Sequence, residues 1–458
     1  MEKAEKTRNG LAPAVASALK RAAFAAAACA AAAAPATVLA AQPDGVTWTL
    51  AWEDGFDAGL DPDAWSLIDK GQSQWCDTMV PSPDLAYVKD GVLHLLGRAR
   101  RDADGNLMCE TGGVRSRGKR SFLYGKIEFR ARFGNVRGAW PAAWLGADVR
   151  AASLPGGEYG EIDVIERLND NAFVYQTVHT KWTLAKKAGP RNGAKAVCNP
   201  GEWNVYAFEW LPEGKLVFSV NGGKVWEYGR TEDVALPEKW PFVGPYYMMF
   251  DMQLGGSWVG NVDMEDLYAR PGRAVEMQVD WMRYYTGSRG GATFGRMFGK
   301  TYEWSENAPD ADFSNMANWG GRAGDAFDPE GVYVFNVFSP PAVNVPANLS
   351  PASIVFDAGA PSISVSGAPF TGLGAVVNKS GRPQTFGNTV SFADAAYVSG
   401  SSLEAPVSFE GGATSTRPVG PTHLSGRHVF KTDAWKRSPE LYTVRKGSSV
   451  RTDGAGRR

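Results

Sequence analysis

The chain has 458 residues, which is long enough for two or more domains. Its 48 lysines and arginines nearly cancel its 49 aspartates and glutamates, so the net charge of −1 gives no electrostatic reason to expect nucleic acid as a partner. Aromatic residues make up 12% of the chain and include 16 tryptophans, a content that suits either a large core or a surface that stacks on sugar rings.

Residues 1–40 are predicted to be a secretory signal peptide with an extended start. Lys20 and Arg21 precede an alanine-rich apolar segment, which ends in a cleavage-site pattern of two small residues separated by one residue. A basic region, an apolar region and such a cleavage site, in this order, are typical of signal peptides. The alternative is an uncleaved membrane anchor, which a proline and the weakly apolar alanines disfavour. We expect cleavage after Ala40 or Ala41, a location in the periplasm, at the cell surface or in the medium, and no membrane-spanning segment afterwards.

Three cysteines follow the predicted signal peptide, Cys76, Cys109 and Cys198. An odd number allows at most one intrachain disulfide. The spacing matches no zinc-binding pattern, so each cysteine is expected to be a small buried hydrophobic residue.

From Val46 to about residue 287 the sequence consists of short apolar runs separated by turn residues. LAYVKDGVLHLLGRA predicts a hairpin about Asp90-Gly91. YGKIEFRARF alternates apolar and charged residues, as a strand buried on one side does. Regularly spaced short strands with little helical periodicity predict a β-sandwich, so we assign the fold class as all-β.

Within this region, GEYGEIDVIERLN carries three carboxylates, Glu161, Asp163 and Glu166, in an apolar run that predicts a buried strand. In a regular strand Glu166 would point away from the other two. A one-residue β-bulge between Asp163 and Glu166 would place all three on one face. Because like charges on one face repel, their pKa values should separate into those of an acid and a base. The plain alternative is an edge strand with solvated charges.

This segment resembles the bulged active-site signature E-x-D-x-x-E of glycoside hydrolase family 16, as found in laminarinases and related endo-glycanases. The resemblance extends from about Trp48 to Tyr285 and includes, in order, RGAWPAAWLG, YYMMFDMQLGGSW and VDWMRYY. It implies a catalytic β-jelly roll over residues 41–287, with the substrate cleft on one of its sheets.

The resemblance also implies roles for the acids. Glu161 would be the nucleophile, Glu166 the general acid and then the base, and Asp163 a hydrogen-bonding partner that helps to set both pKa values. Such a pair acts with retention of configuration when the two carboxyl groups lie roughly 5–5.5 Å apart, and it requires no catalytic metal or organic cofactor. Many members bind a structural calcium ion, for which the positional match is Asp280 with the Gly91 carbonyl. A solvated Asp280 is the alternative.

Five further residues are candidates for substrate binding. Trp140 follows a turn and Trp258 follows a Gly-Gly loop, and both are candidates to stack on sugar rings. Trp144 suits the core or a sugar subsite equally. His179 lies in the strand after the acidic motif, where family members often have a histidine. Arg115 matches a position that presents a polar side chain to the cleft, with an outward-facing salt bridge as the alternative.

The composition changes after residue 287. Residues 288–330 are rich in glycine and predict a linker. Residues 331–416 contain short Val/Ile/Phe strands and resemble the β-strand repeats of autotransporters and large bacterial surface proteins. A small carbohydrate-binding sandwich is the alternative for this region. Residues 417–458 are basic and polar, and we expect them to be disordered.

Together these features predict a secreted, monomeric, retaining endo-β-glycosidase that acts on a polysaccharide. The bulged motif favours a β-1,3- or mixed-linkage glucan as substrate. The segment ERLNDNAFVYQTVHTKWT also resembles members that cut marine galactans, keratan or mucin O-glycans, so an endo-β-galactosidase is the alternative. Two other classes stay open, a non-catalytic carbohydrate-binding sandwich and a surface adhesin.

Overall fold

The computed structural model describes residues 38–39, 45–148, 159–185, 191–230, 238–402, 404–415, 422–424, 427–430, 442–444 and 449–452. The predicted signal peptide and its cleavage site, apart from residues 38–39, lie outside this part of the chain. Within it, none of the helices has the length and apolar character needed to span a membrane.

Two antiparallel sheets form a β-jelly-roll sandwich over residues 38–298. In the described residues the back sheet has eleven strands: β1 (Val38–Leu39), β2 (Thr47–Asp54), β4 (Ala86–Lys89), β5 (Val92–Arg101), β6 (Leu107–Thr111), β9 (Gly125–Phe133), β14 (Asn204–Leu211), β15 (Lys215–Val220), β16 (Gly223–Gly229), β18 (Ala274–Arg289) and β19 (Ala292–Phe294). The front sheet has nine: β3 (Ser66–Leu67), β7 (Gly113–Arg115), β8 (Ser121–Leu123), β10 (Ala139–Ala147), β11 (Gly160–Glu166), β12 (Phe173–Thr180), β13 (Gly193–Val197), β17 (Tyr246–Leu254) and β20 (Arg296–Phe298).

Helical structure is confined to short connections. The described helices are α1 (Lys181–Leu184), α2 (Met264–Ala269) and two 3-10 helices, Pro271–Arg273 and Met316–Trp319. Thr180 caps α1 by accepting a hydrogen bond from the Thr183 amide, and this satisfies one of the amides that a helix start leaves free.

The core of the sandwich lies between the two sheets. Along β9, Ile127, Phe129 and Phe133 are buried on the face that the alternation predicts. Phe129 packs edge-on against Phe250 of β17, with ring centroids 5.2 Å apart, and so joins the back sheet to the front sheet. Burying one such side chain contributes ~1.5–3 kcal/mol, so the alternation of these strands fixes which face of each sheet points inward.

The predicted hairpin about Asp90-Gly91 is confirmed. Lys89 of β4 pairs with Val92 of β5, and only two residues connect the strands. Asp90 and Gly91 both have positive φ angles, 52° and 75°, as the favoured two-residue hairpin turn requires.

Residues 301–452 form a β-solenoid. Its first sheet consists of the parallel strands β21 (Thr301–Glu303), β22 (Val332–Phe335), β24 (Ser353–Phe356), β26 (Phe370–Asn378), β28 (Val390–Ser399), β30 (Ala413–Ser415), β32 (Arg427–Phe430) and β34 (Ser449–Thr452). The second consists of β23 (Ala342–Val345), β25 (Ser364–Gly367), β27 (Gln384–Phe386), β29 (Val407–Phe409), β31 (Thr422–Leu424) and β33 (Tyr442–Val444). From β22 onward the chain alternates between the two sheets. This parallel arrangement matches the predicted repeat-like region and not a carbohydrate-binding sandwich.

Residues 288–330 do not form the predicted linker. The back sheet continues through β18 and β19, and β20 pairs with β8 of the front sheet. Trp304, Phe313 and Trp319 then fill the first layer of the solenoid core. The linker prediction was based on the glycine content of this stretch and did not take account of these large apolar side chains, which cover the end of the parallel stack.

The disorder predicted for residues 417–458 is also wrong where the structure describes this stretch. Strands β31 to β34 continue both parallel sheets of the solenoid. Backbone hydrogen bonds between neighbouring turns hold such strands whatever their side-chain polarity, so composition alone did not reveal them.

The solenoid packs directly against the jelly roll. Arg296 of β20 donates hydrogen bonds to the carbonyls of Gly372 (2.5 Å) and Pro351 (3.2 Å). Phe298 lies in one apolar cluster with Val332 and other residues of the solenoid. The two domains therefore share a continuous core.

The three described cysteines are unpaired, so no disulfide forms among them. Cys76 is buried and the other two are half-buried. Burial raises the pKa of each thiol, to about 11 for Cys109, which agrees with the predicted role as small hydrophobic residues.

Candidate active site

The acidic strand β11 lies between β10 and β12 in the front sheet and contains the predicted β-bulge. On β12, Thr177 pairs with Asp163 and Tyr175 pairs with Glu166, so three residue steps on β11 oppose two on its neighbour. The pairing with β10 shifts at the same place. The extra residue returns Glu166 to the face of Glu161 and Asp163, as predicted.

The opposite face of β11 anchors this arrangement in the core. Ile162, Val164 and Ile165 are fully buried there. Because a one-residue slip would exchange the two faces of a strand, burial of these three side chains fixes the direction in which the carboxylates point.

A cavity of about 290 Å³ lies over this face of β11. Four carboxylates and four tryptophans contribute to its wall, an arrangement that combines proton-transfer groups with flat apolar surfaces. The lining residues are Trp75, Trp140, Ala142, Trp144, Glu161, Asp163, Glu166, Thr177, His179, Asp251 and Trp258.

The three carboxylates of β11 differ in their surroundings. Glu161 retains 22% exposure of its side chain, whereas Asp163 retains 5%. Burial raises the pKa of Glu161, and a hydrogen bond from Tyr159 opposes that rise. Burial and then repulsion from neighbouring carboxylates raise the pKa of Asp163 and of Glu166 well above their ordinary values. Environment thus separates the three groups, as a site with both an acid and a base requires.

His179 lies beside these acids, on the cavity side of β12. Its Nε2 atom is 3.3 Å from Asp163 Oδ2 and 3.9 Å from Glu161 Oε1. One ligand atom from each of these three residues lies within 4.8 Å of the others, close enough to hold a metal ion. The carboxylates can also transfer protons and attack carbon without a metal ion.

Two of the predicted tryptophans hold carboxylates in place. Trp140 Nε1 donates a 3.0 Å hydrogen bond to Glu166 Oε1, and this bond opposes the rise in the pKa of Glu166. Trp144 Nε1 donates a 2.7 Å hydrogen bond to Asp251 Oδ2. Trp258 is 47% exposed and packs edge-on against Trp140, with ring centroids 5.5 Å apart. All three rings line the cavity.

Arg115 and Asp280 lie apart from the cavity lining. Arg115 donates a 2.8 Å hydrogen bond to Asp69, which is the ion pair considered as its alternative. Asp280 lies on the back sheet next to β5, and Arg130 pairs with its carboxylate. A carboxylate neutralised in this way does not fit the calcium ligand that the resemblance implies.

Besides the lining residues Ala142 and Thr177, three side chains that contact the predicted site residues were not predicted from the sequence. Tyr159 donates a hydrogen bond to Glu161, and its spacing of two from Glu161 was a usable signal because alternate residues share a face. Asp251 is a buried fourth carboxylate, and burial raises its pKa to about 8. A lone acid in the apolar run YYMMFDMQL was the signal there. Trp75 lies in a loop and packs edge-on against Trp144, which no local pattern predicts.

The family model for glycosyl hydrolases family 16 matches residues 88–283. The keratan-sulfate endo-1,4-beta-galactosidase of Sphingobacterium multivorum is 32% identical over 241 residues, which cover 52% of this chain and 55% of that protein. The beta-glucanase of Rhodothermus marinus is 32% identical over 251 residues, which cover 52% of this chain and 85% of that protein. The solved structure of the laminarinase from Rhodothermus marinus aligns with a TM-score of 0.46 and 28% identity over 53% of this chain and 98% of that chain. The chain thus spans only about half the length of the Sphingobacterium relative.

Proposed function

The chain belongs to glycosyl hydrolases family 16, and on that premise we propose that it is a retaining endo-β-glycosidase that hydrolyses internal bonds of a polysaccharide. The observation that carries the proposal is the position of Glu161, Asp163 and Glu166 on one face of a bulged strand, within one tryptophan-lined cavity. Two carboxyl groups in different environments supply what glycoside hydrolysis needs, a nucleophile and a proton donor.

In the first step, Glu161 attacks the anomeric carbon as a carboxylate and Glu166 gives its proton to the departing glycosidic oxygen. The bond between these two atoms of the substrate breaks, and a covalent bond to Glu161 forms. The partial exposure of Glu161 and its hydrogen bond from Tyr159 favour the charged form. Burial of Glu166 favours the protonated form, since burial raises its pKa well above the ordinary range.

In the second step, Glu166 accepts a proton from a water molecule, and that water attacks the anomeric carbon from the side that the leaving group vacated. The bond to Glu161 breaks, and the product keeps the configuration of the substrate. Asp163 lies between the two working groups; it raises the pKa of Glu166 by repulsion, and Glu161 raises the pKa of Asp163 in the same way. We assign it a positioning role.

Two substrate classes are consistent with this site. A β-1,3- or mixed-linkage glucan is the first, supported by the bulged motif and by the relative named a beta-glucanase, of which the match covers 85%. A β-galactan such as keratan is the second, supported by the relative named a keratan-sulfate endo-1,4-beta-galactosidase and by an exposed lysine at the edge of the cleft, described below. From the N-terminal sequence we also propose that the protein is exported, and we propose that it acts as a monomer.

The test is product release from a panel of laminarin, mixed-linkage glucan, agarose, keratan and mucin O-glycans, measured by mass spectrometry. We expect internal oligosaccharides from at least one of them, with glucan fragments indicating the first class and N-acetyllactosamine-type fragments the second. Binding to a polysaccharide without any product would overturn the enzymatic proposal and favour the carbohydrate-binding or adhesin classes.

A further inference from the structure

A continuous series of aromatic rings leads away from Glu166 along the edge of the cleft. Trp140 donates its hydrogen bond to Glu166 and contacts Trp258 at 5.5 Å between ring centroids. Trp258 contacts Tyr175 at 5.2 Å, and Tyr175 contacts Phe173 at the same distance. Strand β12 alternates between buried and half-buried residues, and Tyr175 and Phe173 are both on its half-buried side. The rings therefore form a half-exposed wall that is continuous with the site.

This wall ends at a lysine. Lys195 lies on β13, a strand at one edge of the front sheet, and pairs in register with Tyr175. Its ammonium is 4.5 Å from the centroid of the Phe173 ring and 5.4 Å from that of Tyr175. Lys195 is exposed and forms no ion pair with any residue that the structure describes. Among the described residues, Lys195 is thus a cation held above aromatic rings without a carboxylate partner.

We propose that Phe173, Tyr175, Lys195 and Trp258, here called the cationic rim, form a subsite for a sugar that carries a sulfate ester or a carboxylate. This inference rests on the proposed function and narrows its substrate class to anionic polysaccharides. The aromatic rings of the cationic rim would stack on the apolar face of a sugar, and Lys195 would bind the anionic group.

The position of the cationic rim indicates which part of the substrate it would bind, relative to the cleaved bond. Glu166 is the proposed proton donor to the departing oxygen, so the leaving part of the polysaccharide lies on its side of the cleft. Glu166, Tyr175 and Lys195 are neighbours across three adjacent strands, which places the lysine backbone about 10 Å from that of Glu166, two strand spacings. The rim is therefore within reach of the first sugars of the leaving chain.

The charge distribution of the cleft favours an anionic group at the cationic rim over one beside the glycosidic bond that is cleaved. The central cavity contains Glu161, the carboxylate that the proposed reaction needs in its charged form, so an anionic substituent there would meet repulsion. At the rim it would meet the exposed ammonium of Lys195, which forms no ion pair with a described residue. The cleft thus favours chains whose charged substituents lie away from the sugar being attacked.

The test measures binding in a Glu161→Gln background, which removes the proposed nucleophile and so prevents turnover. The ligands are oligosaccharides from keratan sulfate and its chemically desulfated form, together with laminarin, sulfated laminarin and carboxylated laminarin. Lys195→Gln is the test substitution and Lys195→Arg retains the charge. Lys89→Gln removes another exposed lysine, on the back sheet, and is the matched control.

The Glu161→Gln protein without a further substitution is the parent. We expect it to bind at least one charged oligosaccharide more tightly than the neutral counterpart of that oligosaccharide. Lys195→Gln should weaken that binding about tenfold, which corresponds to ~1.4 kcal/mol, and should leave binding of the neutral form unchanged. Lys195→Arg and Lys89→Gln should both behave as the parent does. Raising the salt concentration should remove the preference, because the lysine is exposed to solvent. A preference for the sulfated or for the carboxylated chains identifies which anionic group the rim accepts.

Equal loss of affinity for charged and neutral chains, or no loss in Lys195→Gln, would overturn the inference. Equal affinity of the parent for the neutral and the charged oligosaccharides would also overturn the inference. Turnover by the wild-type chain is measured separately on the same ligands. Charge-dependent binding without turnover would reject the enzymatic proposal and retain the cationic rim.

Discussion

Tyr159 donates a hydrogen bond from its hydroxyl to Oε2 of Glu161, two residues further along the same face of the chain. Burial raises the pKa of Glu161, and this bond acts in the opposite direction because it stabilises the charged form. A nucleophile must be ionised to attack. The tyrosine therefore keeps a largely buried carboxylate in its reactive state.

Replacing Tyr159 by phenylalanine should move the acid limb of the pH profile of kcat/KM to higher pH. Without the hydrogen bond the pKa of Glu161 rises, so a higher pH is needed to ionise it. The matched control is Tyr302→Phe, which removes a hydroxyl that bonds to Asp328 in the solenoid. An acid limb at the wild-type position in Tyr159→Phe would show that the bond does not tune the nucleophile.

Asp163→Asn should move the basic limb of the same profile to lower pH. Asp163 repels the ionised form of Glu166, so its removal lowers the pKa of Glu166, which must stay protonated for the first step. Trp140→Phe should move the basic limb the other way, because it removes a hydrogen bond that lowers the pKa of Glu166. Shifts of both variants in one direction would contradict the assignment of Glu166 as the acid.

The stability of the Asp251→Asn variant relative to that of the wild type should increase as the pH rises from about 4 to 8. Burial raises the pKa of Asp251 from an ordinary 3.8 to about 8. Over this range the unfolded chain ionises at this position while the folded chain keeps its proton, so wild-type stability falls with rising pH. Asparagine does not ionise and still accepts the hydrogen bond from Trp144. The difference in Tm between variant and wild type measures the effect, and a difference independent of pH would contradict the assignment.

Glu166→Gln should lower kcat by at least a factor of about 10²–10⁴, the usual contribution of a proton-transfer group. Glu161→Gln should lower kcat at least as much, because it removes the nucleophile that forms the covalent intermediate. Both variants should melt near the wild-type temperature, because an amide keeps the shape of the side chain and adds no buried charge. Glu303→Gln, an exposed residue of the solenoid, is the matched control and should retain activity. Normal turnover in either active-site variant would exclude that residue from the chemistry.

The sequence was sufficient for the features that depend on local spacing. Alternation predicted the buried face of β9, and the Asp90-Gly91 pair predicted a hairpin. The three acids in an apolar run were compatible with a bulge in β11, and their resemblance to the bulged family signature predicted it. Each of these depends on residues that are close together in the chain, where the period of a strand relates spacing to direction.

Features that depend on distant contacts could not be predicted in this way. Trp75 reaches the cavity from a loop, and Asp251 reaches it from a strand far along the chain. Arg115 and Asp280 have ionic partners, Asp69 and Arg130, that only the fold brings near. Local composition also misrepresented residues 288–330, because aromatic side chains among the glycines pack into a core formed by later residues.

The configuration of the first product formed tests the central claim most directly. Proton NMR during the first minutes of digestion, before the freed sugar end mutarotates, distinguishes the two anomers at the new reducing end. The two-step reaction through Glu161 predicts that the β-anomer appears first and that Glu161→Gln forms no detectable product in the same minutes. Initial appearance of the α-anomer would mean a single inverting displacement and would contradict the proposed roles of Glu161 and Glu166.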